Sequence, residues 1–370
     1  MRSLFCMIFL LSSILTMAQE KYILIGTYTS TGSEGIYVYR FDENTGKATW
    51  VSNTKGVQNP SYIAVSKDGN KVYAVNETHG EKTPMVSAFD FDRKTGQLKF
   101  INQQPSGGDD PCYVAVTNNG KWVAAGNYSG GNFSVFKVAN NGGLKPSRQT
   151  IQHEGKSKNE KRQEKAHVHS TVFSPEEKFL FVSDLGTDKI MSYAFKSGAS
   201  KPLKPSLPSF IETEAGSGPR HLVFHPNQTK AYLMEELSGT VAVFDYKNGK
   251  LELIERVPTH AKDYSGNIGS ADIHVSPDGK FLYASNRGDQ NSITVFSIAK
   301  TGKLTFVQEQ LTLGKSPRNF LVHPSGKFIL VANQESDEVV ILNRDQQTGL
   351  LTDTGNRIKI PKPVCIKIVE

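Results

Sequence analysis

The 370-residue chain carries 43 Lys and Arg against 36 Asp and Glu, a net charge of +7, and 37% of its residues are hydrophobic. Its 32 Gly and 17 Pro are a globular proportion rather than a low-complexity one, and no Lys/Arg block interleaved with aromatics points to a nucleic-acid partner. Three cysteines exclude a disulfide scaffold, and no C-x-x-C metal spacing occurs.

Taken in chain order, residues 1–18 read as a secretory signal peptide. Arg2 precedes an apolar run from Leu4 to Leu15, and Thr16-Met17-Ala18 places small residues ahead of a cleavage point before Gln19. The run is shorter than the roughly 20 residues a helix needs to cross a bilayer. It therefore predicts a secreted or periplasmic protein with no membrane span, whose mature chain is 19–370. Cys112 and Cys365 remain, in different repeats, and are expected to be buried and unbridged.

The mature chain is one repeat seven times over. Turn signals recur at Thr45-Gly46, Thr95-Gly96, Asn141-Gly142, Ser197-Gly198, Asn248-Gly249, Thr301-Gly302 and Thr348-Gly349, with the glycines 46 to 56 residues apart. A period near 50 fits propeller blades rather than helical repeats. A strand–turn–strand unit runs in step with these turns, starting at Pro60, Pro111, Val168, Pro219, Ser270 and Pro317, as in PSYIAVSKDGNKVYAVNE and PRHLVFHPNQTKAYLMEE. The seventh copy is split: YILIGTYTS from Tyr22 matches its second strand and PVCIKIV from Pro363 its first. The predicted fold is all-β, a single seven-bladed β-propeller with one blade closed by the N- and C-terminal strands, so that no sheet edge is left open.

An antiparallel hairpin brings the start of its first strand beside the end of its second. Aligning the units therefore gives columns around one mouth of the channel. One reads Ser61, Cys112, His169, Arg220, Ala271 and Arg318; the facing one reads Tyr28, Glu77, Tyr128, Leu185, Glu236, Arg287 and Gln334. One residue earlier come Asn76, Asn127, Asp184, Glu235, Asn286 and Asn333. Arg220, Arg287, Arg318, His169 and Glu236 come from blades 4 to 7 and converge on one side. Three guanidiniums suit a carboxylate or phosphate, and a Glu and a His beside them are acid/base candidates.

The Asn residues and Asp184 read as turn-proximal groups bonding backbone, and His225, His274 and His323 as structural. The charge-rich insertion Glu154–Lys165 reads as a solvated loop whose end must reach the channel mouth. No G-x-S-x-G, H-E-x-x-H or P-loop spacing is present.

The stretches RQEKAHVHS at Arg162, SDLGTDKI at Ser183, GPRHLVFHP at Gly218, EELSGTVAVF at Glu235, HVSPDGKFLYASNRG at His274 and SPRNFLVHPSGKFILVANQ at Ser316 resemble the lactonase family of seven-bladed propellers. That family includes propeller-type 6-phosphogluconolactonases and fungal carboxymuconate cycloisomerases, and the resemblance covers nearly the whole mature chain. It implies a channel-mouth site with His167 or His169, Arg220, Glu236 and Arg287 as catalytic residues. The columns add Arg318, Glu77, Tyr128, Asn333 and Gln334 as substrate-binding candidates. Ala166 stands where the family usually has Pro, and Glu235 where it usually has Asn; the second change adds a carboxylate and argues against a highly anionic substrate.

The expected function is hydrolysis of a sugar-acid lactone, 6-phosphogluconolactonase-like, by a monomer whose partner is a small anionic lactone or sugar acid, with no cofactor and no metal. A Glu among arginines is a weakened base, so His is the better proton acceptor at neutral pH. The alternatives are a muconate-type cycloisomerase using the same pocket and a non-catalytic propeller binding a sugar acid or a protein. A divalent-metal lactonase using Glu77, Asp184 and Glu236 as oxygen ligands is a further one. Export points to unphosphorylated lactones, since phosphorylated ones are cytoplasmic metabolites.

Overall fold

A computed structural model describes residues 21–80 and 82–369; the expected leader, 1–18, lies outside them. The described residues form seven four-stranded antiparallel sheets and no α-helix, and no helix among them is long and apolar enough to cross a membrane. Blades 2 to 7, residues 63–105, 111–152, 168–212, 219–258, 270–311 and 317–359, each run from the channel outward in sequence order. Blade 1 takes Pro363–Val369 as its innermost strand, followed by Lys21–Thr27, Ile36–Phe41 and Ala48–Thr54. The termini thus pair as the split repeat predicts, with Leu24 opposite Lys367 and Gly26 opposite Cys365. Gly26 is needed there, because a Cβ would collide with the carbonyl oxygen of Pro60 at the entry to blade 2.

The repeated hairpins explain the repeated turns. Ser66, Ser276 and Thr117 each accept the backbone N–H five residues on (Lys71, Phe281 and Trp122, at 2.9, 3.0 and 3.1 Å) and donate to the Asp or Asn two residues on. Such local bonds are what Ser, Thr, Asn and Asp supply in turns. Between blades, apolar residues of the middle strands form the core, including Phe89, Phe136, Phe181, Phe244 and Phe296, all fully buried or nearly so. Tyr73, Tyr232 and Tyr283 each reach from the second strand of one blade to the carbonyl of Gly142, Gly302 or Gly349, at 3.1, 3.2 and 3.0 Å, in the outer turn of the next blade.

One irregularity matters for function. In blades 3, 4, 5 and 7 the register between the first two strands slips at the second residue of the first strand: the pairing jumps past Cys112, His169, Arg220 and Arg318. A bulge of this kind re-aims a side chain. The proline that opens three of these strands, Pro111, Pro219 and Pro317, occupies the strand-start position where a missing N–H is tolerated.

Candidate active site

The bulged residues meet the ends of the second strands at one mouth of the channel. The cavity there, about 510 Å³, has Cys112, His169 and Arg318 from the first strands and Tyr28, Glu77, Tyr128, Glu236 and Arg287 following the second. Arg220 lies behind the lining, 2% exposed, with Nε donating to Glu236 Oε2 at 2.9 Å.

Glu236 is the hub. Its Oε2 takes Arg220 and, at 3.2 Å, Arg287 Nη2, while its Oε1 accepts from Arg162 Nη2 at 2.8 Å. Burial pushes the carboxyl up, but the guanidiniums of Arg287, Arg220 and Arg162 outweigh it and hold it well below the usual carboxylate range. His169 Nε2 stands 3.8 Å from Glu236 Oε2. Burial and then Arg220 lower its pKa well below 6.5, so the imidazole is neutral at pH 7. On its other edge, Nδ1 is 3.8 Å from Cys112 Sγ. That thiol is held up by burial, stays protonated, and has the carbonyls of Val168 and His169 within 3.7 and 3.6 Å as acceptors. The sulfur therefore faces Nδ1, and Nε2 faces the carboxylate and the cavity.

The four guanidiniums are differently occupied. Arg220 turns its Nη1 to the carbonyl of Ala271 and to His221. Arg287 donates from Nε to the carbonyl of Gly269 at 2.9 Å, and burial lowers its pKa to about 10. Arg318 lies over the Tyr28 ring, 5.6 Å from its centroid, and has no ion-pair partner within 4.0 Å among the described residues. Tyr28 donates to Glu77 Oε1 at 2.9 Å, and the Ser61 hydroxyl donates to the other oxygen. Four arginines against two carboxylates leave the mouth positive.

A second layer closes the channel beneath. Asp272 accepts from His221 at 2.7 Å, His274 at 3.0 Å and Asn319, and Tyr62 stacks on Tyr113 with centroids 4.2 Å apart. Burial, then Arg220, lowers His221 to about 3, so it too is neutral.

Of the expected site residues, the fold gathers His169, Arg220, Glu236, Arg287, Arg318, Glu77 and Tyr128. Three lie elsewhere. His167 stacks on Tyr128 with Nδ1 against its carbonyl oxygen and Nε2 against Glu164, and does not line the cavity. Asn333 is buried with its amide on the carbonyl of Thr312, the backbone-bonding role that Asn76, Asn127 and Asn286 also play. Gln334 opens a short 3-10 turn and bonds Glu335. The oxygen-ligand set does not assemble either: Asp184 is committed to His153 and to the N–H groups of His167, Gly186 and Thr187. No group of three or more His, Cys, Asp or Glu among the described residues is placed to hold a metal ion.

Glu235 does not subtract charge from the mouth. It is fully buried and bonded within its own blade, to Arg256 and Thr240.

The insertion is the largest departure. It is not merely solvated: Gln163 is fully buried, donating to the carbonyl of Leu185 at 2.8 Å, and Lys165 crosses Gly186 so closely that a Cβ there would collide with its carbonyl oxygen. Arg162 thereby reaches the cavity from outside the repeat. Its signal was present only as the first letter of RQEKAHVHS. Tyr28 stood in the facing column, and Cys112 in the bulged one, without being singled out.

The family model for the seven-bladed β-propeller lactonases matches residues 22–368. A 6-phosphogluconolactonase of Formosa agariphila is 38% identical over 332 residues, covering 89% of this chain and 94% of the relative. A 6-phosphogluconolactonase of Bacillus subtilis is 36% identical, covering 95% and 99%. Among solved structures, a periplasmic gluconolactonase of Pseudomonas aeruginosa superposes with a TM-score of 0.91 at 36% identity, covering 95% of this chain and 99% of its own.

Proposed function

This chain belongs to the seven-bladed β-propeller lactonase family, and from that premise we propose that it hydrolyses a sugar-acid lactone in the cavity at the channel mouth. The observation that carries the reading is a neutral imidazole, His169 Nε2, set 3.8 Å from an ionised Glu236 inside a ring of guanidiniums. A water held at His169 Nε2 on its cavity side attacks the lactone carbonyl carbon and passes its proton to that nitrogen. The carbonyl oxygen becomes an oxyanion and is stabilised by Arg318, whose donors are not spent on protein, and by Arg287. On collapse the ring C–O bond breaks, the imidazolium returns its proton to the leaving alkoxide, and the open-chain acid departs. Glu236, kept ionised, balances the imidazolium while it exists and fixes Arg220 and Arg287.

Residues 1–18 act in this reading as an export signal, and the protein works in the periplasm or outside the cell. Unphosphorylated lactones are then its natural substrates.

The test is a panel of lactones, each with and without a 6-phosphate, given to the mature protein. Hydrolysis is expected for at least one. Glu236→Gln, which leaves the imidazolium unbalanced and frees Arg220 and Arg287, and Arg287→Ala, which removes an oxyanion donor, are each expected to lower kcat/KM by about a hundredfold or more. Full activity in both folded variants would falsify the site assignment. Consumption of a muconate with no action on any lactone would favour cycloisomerisation.

A further inference from the structure

Arg162 is held differently from its neighbours. Arg220 and Arg287 are each tied to backbone carbonyls as well as to Glu236. Both guanidinium contacts of Arg162 are with cavity side chains, Tyr128 Oη at 3.0 Å and Glu236 Oε1 at 2.8 Å. Its side chain is 43% exposed while Glu236 is 5% exposed. The backbone beneath it needs neither contact. Gln163 anchors the loop, with Ser157 N–H and Asn159 N–H bonded to its carbonyl and side-chain oxygens, and Asp184 pins both roots, His153 and His167.

A half-exposed ion pair is weak because water competes for the charges. A phosphate or carboxylate on a ligand offers the guanidinium the same acceptor geometry as Glu236 Oε1, with the option of a bidentate pair. We propose that Arg162 leaves Glu236 for an anionic group of the substrate remote from the lactone carbonyl, and so sets a preference for anionic over neutral lactones. The inference rests on the lactone-hydrolysis reading. The exchange also uncovers Glu236 Oε1 to the cavity, while Arg220 and Arg287 keep the carboxylate ionised through Oε2. Arg162 is in this account a specificity-determining residue, acting at the rim of a site whose proton transfer belongs to His169.

The experiment compares wild type, Arg162→Gln and Arg162→Lys on three probes: glucono-δ-lactone, its 6-phosphate, and a glucaric acid lactone carrying a distal carboxylate. A charged hydrogen bond of ordinary strength corresponds to about tenfold or more in binding. In Arg162→Gln the loss of kcat/KM on the anionic probes is therefore expected to exceed the loss on the neutral lactone by about tenfold, mainly through KM. Arg162→Lys should recover part of it. A selective effect on the 6-phosphate alone identifies phosphate as the anion, and one on the glucaric lactone alone identifies carboxylate.

Gln163→Ala loosens the loop without removing the charge and should affect all three probes alike. Equal loss on all three in Arg162→Gln, or no loss, overturns the proposal. If wild type hydrolyses none of them, the hydrolysis reading fails separately. Calorimetric binding of 6-phosphogluconate and glucarate then decides: weakening of either ligand by about tenfold in Arg162→Gln supports anion capture, and equal or absent binding to wild type and variant overturns it.

Discussion

The protonation states of His169 and Glu236 are set by the same cations. His169 is neutral because burial, and Arg220 beside it, disfavour a second positive charge; Glu236 is ionised because the guanidiniums of Arg287, Arg220 and Arg162 outweigh its burial. The sign for activity follows. A histidine whose pKa is lowered stays neutral, and able to take up a proton, as pH falls through the ordinary imidazole value, and a carboxylate whose pKa is lowered stays charged over the same range. The kcat/KM profile for lactone hydrolysis, corrected for spontaneous opening, is expected to stay level from about pH 8 down past 6.5, with its acid limb below that. An acid limb at about 6.5 would show an unperturbed histidine and contradict the assignment. At this scale the sequence was partly legible. Hairpin register alone brought Arg220, Glu236, Arg287 and Arg318 together. That His169 rather than His167 lines the cavity was not legible, because it depends on a bulge that turns one residue inward. Asn333 and Gln334 turn away from the cavity for a related reason: position at a strand end does not tell whether a side chain faces the cavity or, as these do, the carbonyl of Thr312 and the carboxylate of Glu335.

At the scale of the element, the segment 154–166 is a compact loop of the Ω kind, with both ends gathered on one carboxylate. Asp184 Oδ2 faces His153 Nδ1 at 2.9 Å, His153 Nε2 faces the Tyr193 hydroxyl at 3.0 Å, and Asp184 Oδ1 accepts the N–H of His167, at 2.9 Å, just before the returning strand. Asp184→Ala would leave His153 and three backbone N–H groups buried without partners, at about 1–3 kcal/mol for each group not rescued by water. The loop should then open locally while the blade persists. Limited trypsinolysis is expected to cut the variant at Lys156, Lys158, Lys161 or Lys165 far faster than wild type, with the rest of the chain protected. Identical cleavage rates would show that Gln163 alone secures the loop. The repeat marks this element as an insertion whose end reaches the channel mouth, but not how it packs; its charge-rich composition reads as solvent-facing chain, and the buried Gln163 that contradicts that reading has no periodic signature. The hairpins, by contrast, were readable one by one, because each carries its own turn chemistry.

For the whole molecule the question is what closes the ring. Pro363–Val369 pairs with Lys21–Thr27 and lies against the innermost strands of blades 7 and 2. Val364, Cys365, Ile366 and Val369 are each no more than 2% exposed. Burying an aliphatic side chain is worth about 1.5–3 kcal/mol, so losing these four, together with a hydrogen-bonded ladder, approaches the roughly 5–15 kcal/mol by which a domain is stable at all. Removing residues 363–370 is therefore expected to abolish cooperative folding of all seven blades rather than fray one. A circular permutant separates this from a mere need for native termini. Tyr22 pairs with Val369, so a short hairpin link joins the old ends, and new ends are cut in the exposed turn at 196–201. The break then falls between the third and fourth strands of blade 4, far from the innermost strands that close the ring. The permutant should unfold in one transition within a few degrees of wild type and keep its lactone activity, whereas the truncated chain should show neither. A truncated protein that melts cooperatively near the wild-type temperature would mean that six blades suffice, and that the pairing of the two termini is incidental to stability.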